Sequence, residues 1–183
     1  MPVAAPSSTK SHATSSIAHA MLQEFEAELP ATRRFIERIP EGSLKWRPHE
    51  KSMTAGQLAL HIAQSPAGAL QMTMADEASP PDFSGGRTQP TSLREVINAL
   101  DEGAAEVRQT LLGIDDHRMA AMFTMKHQGR TLLAVPRAAF LRSIMLNHTY
   151  HHRGQLGVYL RLLDAKVPSS YGPSGDEGVP GME

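Results

Sequence analysis

Asn147-His148-Thr149-Tyr150-His151-His152-Arg153-Gly154-Gln155 gathers three of the nine histidines of the chain. His148 and His152 are four apart, so on a helix they lie one turn above each other on one face. Imidazoles at that spacing can converge on one metal ion, as in helical zinc sites. The flanking residues support a helix whose face points inward. Leu141, Met145, Leu156, Tyr159 and Leu163 recur at steps of three and four, and both histidines continue their seam: 141, 145, 148, 152, 156, 159, 163. A second stripe, Ile144-His148-His151-Gln155, also has helical spacing. It would pair His148 with His151 and leave His152 facing solvent or standing behind the ligands. The seam arithmetic favours His152.

Outward from this stretch, the same helix is expected to begin beside Pro136, a residue favoured in a first helical turn, and to run to about Leu163. Three more segments have helical periodicity. The first, from about Ser16 to Arg38, spaces Ile17, Met21, Phe25, Leu29, Phe35, Ile36 and Ile39, with a kink or break expected at Pro30. The second starts at Thr54-Ala55-Gly56-Gln57, a capping box, and continues to about Asp76 with a further kink expected at Pro66. The third runs from about Ser92 to Leu112. The link to the fourth segment is about twenty residues, long for a helical bundle. Within it, Met122 to Lys126 and Arg130 to Leu133 flank Gln128-Gly129, a pattern compatible with a short β-hairpin. The fold expected is all-α, a four-helix bundle with long crossover connections and a short hairpin between helices three and four. It would occupy residues 16–165, after a disordered lead-in over 1–15 and before a Gly/Pro-rich loop or tail over 166–183.

A third inward histidine lies on the second helix. His61 follows Leu58 by three and precedes Ile62, on the apolar stripe. An unsatisfied polar group inside a bundle costs on the order of 1–3 kcal/mol. A divalent cation would satisfy His61, His148 and His152 together and keep coordination positions open. His12 and His19 are expected to face solvent, His117 and His127 to lie in or near loops, and His49 to be a loop residue. Gly154 could admit a neighbouring helix, and Arg153 and Gln155 could stand behind the ligands or form a solvated face. Trp46 is expected to pack the loop before helix two, and Asp176 and Glu177 to lie in the tail.

Composition narrows the chemistry. The 183 residues carry 18 Lys+Arg against 19 Asp+Glu, a formal net charge of −1, so the broad basic footprint of a nucleic-acid-binding protein is missing. With no Cys, disulfides, thiolate metal sites and a cysteine nucleophile are excluded. No apolar run approaches the roughly 20 residues that span a bilayer, and residues 1–15 lack the apolar stretch of a secretory signal. The expectation is a cytoplasmic protein without membrane or nucleic-acid partners.

The chain resembles the DinB/YfiT-like family of damage-inducible proteins from about residue 20 almost to the end. The resemblance is carried by Leu44-Lys45-Trp46-Arg47-Pro48-His49-Glu50-Lys51-Ser52, by Gln57-Leu58-Ala59-Leu60-His61, by Asn147 through Leu156, and by Pro168 through Glu177. It implies a four-helix bundle, commonly a homodimer, with His61, His148 and His152 matching a three-histidine site for zinc, nickel or a similar ion. Relatives of the fold include thiol-dependent transferases and isomerases, and others assigned a hydrolase role. The function this implies is a metal-dependent hydrolase or thiol-dependent transferase acting on a small molecule. Without Cys, any thiol would be a diffusible low-molecular-weight cofactor. The alternative is a non-catalytic, stress-related helical dimer whose metal is structural or incidental. Structural zinc sites normally close with four protein ligands, and only three inward histidines are found here.

Overall fold

The computed structural model describes residues 16–178. The expected lead-in over 1–15, with His12, lies outside these residues, as does the end of the tail from 179. Three long helices come first: α1 (Ile17–Glu37), α2 (Ala55–Met72) and α3 (Leu93–Leu112). Each begins on a hydroxyl that accepts from an unpaired amide of its first turn. Ser16 accepts from His19, Thr54 from Gln57 and Ser92 from Glu95. At Thr54 the box is reciprocal, because the Gln57 side chain accepts from the Thr54 amide at 3.0 Å.

Neither proline breaks its helix. α1 runs through Pro30 and α2 through Pro66 without interruption. Each helix buries apolar residues on both sides of its proline: Leu22 and Phe25 before Pro30, Phe35 and Ile36 after it; Leu58 and Ile62 before Pro66, Leu70 after it. Tertiary packing of that face outweighs one lost amide bond per helix. α2 stops at Met72, short of Asp76, where the Thr73 hydroxyl donates to Leu70 O at 2.8 Å.

The chain is mainly helical rather than all-α, because three strands form a small sheet in the order β1-β2-β3. β2 (Met122–His127) and β3 (Arg130–Pro136) are antiparallel, with Met122 opposite Pro136 and His127 opposite Arg130. The residues between them, Gln128 and Gly129, have φ of 49° and 77°, the left-handed pair a tight primed turn requires. β1 (Glu77–Ala78) lies parallel to β2 with Glu77 beside Thr124, so the chain leaving α2 is tied to the hairpin. A short helix, α4 (Asp116–Ala120), precedes β2.

A long rod follows the hairpin. It begins as α5 (Arg137–Leu141), widens into a π turn over Arg142–Asn147 and continues as α6 (His148–Leu162). Arg137 locks its start. This arginine is 0% exposed, and its guanidinium donates to Thr73 O, Ala75 O and Arg118 O at 2.6–3.1 Å and to Asp76 Oδ1 at 3.0 Å. The carbonyls of Thr73 and Ala75, just past the end of α2, are thereby satisfied by the start of the rod.

The core falls into two clusters. One gathers Phe25, Leu70, Val107, Phe123, Phe140 and Met145; the other gathers Phe35, Leu58, Ile62, Val96, Leu156 and Leu160. α2 and α3 pack closely at Gly103, where a Cβ would stand 2.9 Å from Ala63 O. Gly154 admits no neighbour: it is exposed, with nothing within 4 Å of a Cβ placed there. The close approach on α6 is at Gly157, whose Cβ would meet the Phe35 ring at 3.1 Å. After α6 the chain folds back onto α1 and α6. Glu177 accepts from Arg38 at 2.9 Å and from Ser169 N at 2.9 Å, and Asp176 pairs with Arg161 at 2.5 Å.

Candidate metal centre

The two core clusters hand over at one level of the molecule. On α2, His61 sits between Leu58 and Ile62 of the second cluster, near the end of its stretch and ahead of Ala67, where the first cluster begins. On the rod, His148 and His152 sit between Met145 of the first cluster and Leu156 of the second. The three imidazoles meet there, half-buried, with one nitrogen from each inside a common 4.8 Å span. His61 Nε2 is 3.3 Å from His148 Nε2, and His152 Nε2 is 3.0 Å from His148 Nε2. The rings stand nearly perpendicular to one another, at 80–88°.

Hydrogen-bond chemistry makes this cluster a poor neutral network. Gln155 Nε2 points to the Tyr159 hydroxyl at 3.5 Å, which leaves Gln155 Oε1 to accept from His152 Nδ1 at 2.8 Å. With its proton on Nδ1, His152 presents a lone pair at Nε2. One proton on His148 Nε2 cannot serve two neighbouring nitrogens well, and His148 Nδ1 is buried with no partner. A cation resolves the conflict. Zinc–nitrogen bonds of about 2.0–2.1 Å at tetrahedral angles put ligand nitrogens about 3.3 Å apart, close to the two spacings seen here. The donor set therefore fits a divalent transition metal.

The electrostatics keep the ligands neutral. Burial, with the other two imidazoles and Arg87 nearby, pushes His61 down to about 4. Burial and the imidazoles of His152 and His151 push His148 down to about 4 as well. His152 is also lowered, chiefly by burial, while its bond to Gln155 works in the opposite direction. Near neutral pH all three are unprotonated, the form that binds metal.

A cavity of about 460 Å³ opens beside the cluster. His61, His148 and His152 form one side. Met72, Met125, Phe140, Ile144 and Phe83 give apolar walls, and the Ser65 hydroxyl on the wall has no partner. A second recess of about 270 Å³ shares His61, Gln64, Phe83 and Arg87 and adds Gln57 and Thr88. Arg87 belongs to the loop between β1 and α3; its guanidinium lies 4.1 Å over the Phe83 ring and 3.5 Å from His61 Nδ1.

The remaining candidates are elsewhere. His151 is exposed and outside the converging set, though its ring edges that of His152. His19, His49, His117 and His127 are exposed, and His49 Nδ1 accepts from the Lys51 amide at 3.2 Å. Arg153 is not on a solvated face. It is 2% exposed, pairs with Glu28 at 2.7 Å and donates to Thr32, tying α6 to α1. Trp46 packs edge-on against Tyr159, with ring centroids 5.6 Å apart. Sequence reading missed Arg87, Phe83 and Ser65. Arg87 follows Gly85-Gly86 in a stretch with no periodicity, so nothing local signals that it turns back over the histidines.

The family model described as DinB family matches residues 9–179. The chain belongs to the DinB family. It is 25% identical over 158 residues to the Bacillus subtilis (strain 168) protein YrdA, covering 85% of this chain and 89% of that one. Two solved structures share the DinB fold. A DinB-like protein from Bacillus cereus aligns with TM-score 0.65 at 23% identity, over 82% of this chain and 95% of its own. The DinB-like protein YjoA from Bacillus subtilis aligns with TM-score 0.64 at 22% identity, over 83% and 96%. Among the described residues, no helix is long and apolar enough to cross a membrane.

Proposed function

We propose that this DinB-family chain binds one divalent transition metal, zinc or nickel, through His61, His148 and His152, and acts on a small molecule as a metal-dependent hydrolase or thiol-dependent transferase. The observation that carries the reading is the set of converging Nε2 atoms, spaced 3.0 and 3.3 Å apart. Three protein ligands would leave coordination positions open, and the same histidines line a cavity large enough for a small substrate. A cation held there supplies Lewis acidity and lowers the pKa of a coordinated water or thiol towards neutrality.

The chain's own residues do the rest. Gln155 fixes the proton of His152 on Nδ1 and so aims Nε2 inward. Burial keeps His61 and His148 unprotonated at working pH. Met72, Met125 and Phe140 give the cavity apolar walls against which the body of a substrate can lie. With no cysteine in the chain, a thiol would have to enter from solution. The family resemblance also supports a four-helix bundle that assembles as a homodimer, which light scattering over a range of concentrations tests.

The test of the central reading is elemental analysis of the purified full chain. About one equivalent of zinc or nickel per chain, retained through dialysis, is the expected result. No bound metal, and none taken up on adding zinc, would remove it.

A further inference from the structure

Arg87 and His61 face each other in a way that asks for a third group. Arg87 Nη1 is 3.5 Å from His61 Nδ1, and among the described residues no carboxylate forms a salt bridge with Arg87. Asp82 lines the same recess, and its carboxylate accepts from Ser84 N at 2.8 Å. If His61 gives its Nε2 lone pair to a metal, its proton sits on Nδ1 and points towards a guanidinium that can only donate. Metal-binding histidines ordinarily donate that second N–H to a carboxylate, a carbonyl or water. Among the described residues no such acceptor is hydrogen-bonded to His61 Nδ1, and a guanidinium stands in its place. Two donors 3.5 Å apart, beside a cavity with apolar walls, match a ligand that is acidic at one end and apolar at the other.

We propose that the cavity binds a small organic carboxylate, its acid group accepting from Arg87 and His61 Nδ1 and its apolar body lying against Met72, Met125 and Phe140. This inference rests on the metal reading, because the metal sets the His61 tautomer. The Arg–carboxylate pair gives direction and charge selectivity, and the cation–π contact with Phe83 holds the guanidinium over the entrance. A cavity of about 460 Å³ accommodates an acid with one ring or a short chain.

The probe is 4-phenylbutyrate, with its neutral amide as the control, titrated by calorimetry into the full chain loaded with zinc. The expected result is carboxylate binding at least tenfold tighter than amide binding. Arg87→Gln should abolish that preference by weakening the carboxylate alone, while circular dichroism and zinc content stay unchanged. Stripping the zinc should also weaken carboxylate binding, since Arg87 can then donate to an unprotonated His61 Nδ1 instead. Equal binding of acid and amide, or a preference that survives Arg87→Gln, overturns the proposal. Zinc content is measured on the same samples. One zinc per chain without acid preference sinks this inference alone, whereas no zinc in the wild-type chain sinks the metal reading beneath it.

Discussion

Gln155 Oε1 accepts from His152 Nδ1 at 2.8 Å, and the two side chains are neighbours on one helical face, three residues apart. The amide decides which imidazole nitrogen carries the proton. Gln155→Leu removes that control while keeping the side chain's bulk. We expect a 10–100-fold loss of zinc affinity, the range found for partners that orient a metal-binding histidine. A competition titration with a chromophoric chelator reads it directly.

The three converging histidines and their exposed neighbour His151 should separate cleanly. Replacing His61, His148 or His152 by Ala removes one of three nitrogens from the cluster, and each variant should lose most of its zinc. His151→Ala should change affinity by less than about tenfold, because His151 is exposed and outside the converging set. Zinc loss in His151→Ala with retention in His152→Ala would reverse the assignment.

The metal-free protein should lose stability as pH falls from about 6.5 towards 4. His61 and His148 are held down to about 4 in the folded chain, against 6.5 for an ordinary imidazole. In that window the unfolded chain binds more protons, so acid favours unfolding. The stabilising contribution is complete above 6.5 and gone once the pH has passed below about 4. Urea midpoints between pH 7.5 and 4 check this. A His61→Gln/His148→Gln double variant should show a flatter dependence.

Arg137→Met should destabilise the fold by about 3 kcal/mol or more. The buried carbonyl of Thr73 and the less buried carbonyls of Ala75 and Arg118 lose their donor at once, and the space filled by a fully buried side chain is repacked. Chemical denaturation measures the loss. Zinc stoichiometry in the folded fraction should stay near that of the wild type, since Arg137 does not touch the histidines.

Two glycine substitutions should move stability in opposite directions. Gly103→Ala drives a Cβ to 2.9 Å from a backbone carbonyl of α2 and should cost about 1–3 kcal/mol. Gly154→Ala meets nothing within 4 Å on an exposed helical position and should stabilise by up to about 1 kcal/mol. Thermal melts of the two proteins side by side decide this.

Much of the helical content was legible because it is periodic and capped. Ser16, Thr54 and Ser92 mark the starts of α1, α2 and α3 by chemistry visible in the sequence. β1 was not legible, since two residues carry no alternation and its pairing with β2 spans more than forty positions. The close gathering of His61, His148 and His152 could be anticipated from the stripes of α2 and α6. What surrounds them could not. Ile144 lines the cavity with His148 and His152, while Met145 is buried in the core. Each of the two stripes drawn from the sequence thus contributes part of the true face, because both assumed one constant helical pitch through residues 142–147.

That pitch change has a consequence for chain length. The His148 amide reaches back five residues to Ser143 O, so the turn over Arg142–Asn147 holds about one residue more than an α-helix of equal rise. The surplus residue works as a phase offset between the anchored start of the rod and its histidine-bearing half. Regular α geometry with all six residues retained would add about 100° of turn and rotate α6 by that much relative to α5, whereas removing one residue would let α geometry form with the phase kept. In the rotated arrangement His148 and His152 would swing off the cavity together, and Leu156 would leave the core with them. Substitutions at Ser143 or Arg142 carry no such penalty. The centre is keyed to the wide pitch of that turn, which takes up one residue without turning the rod.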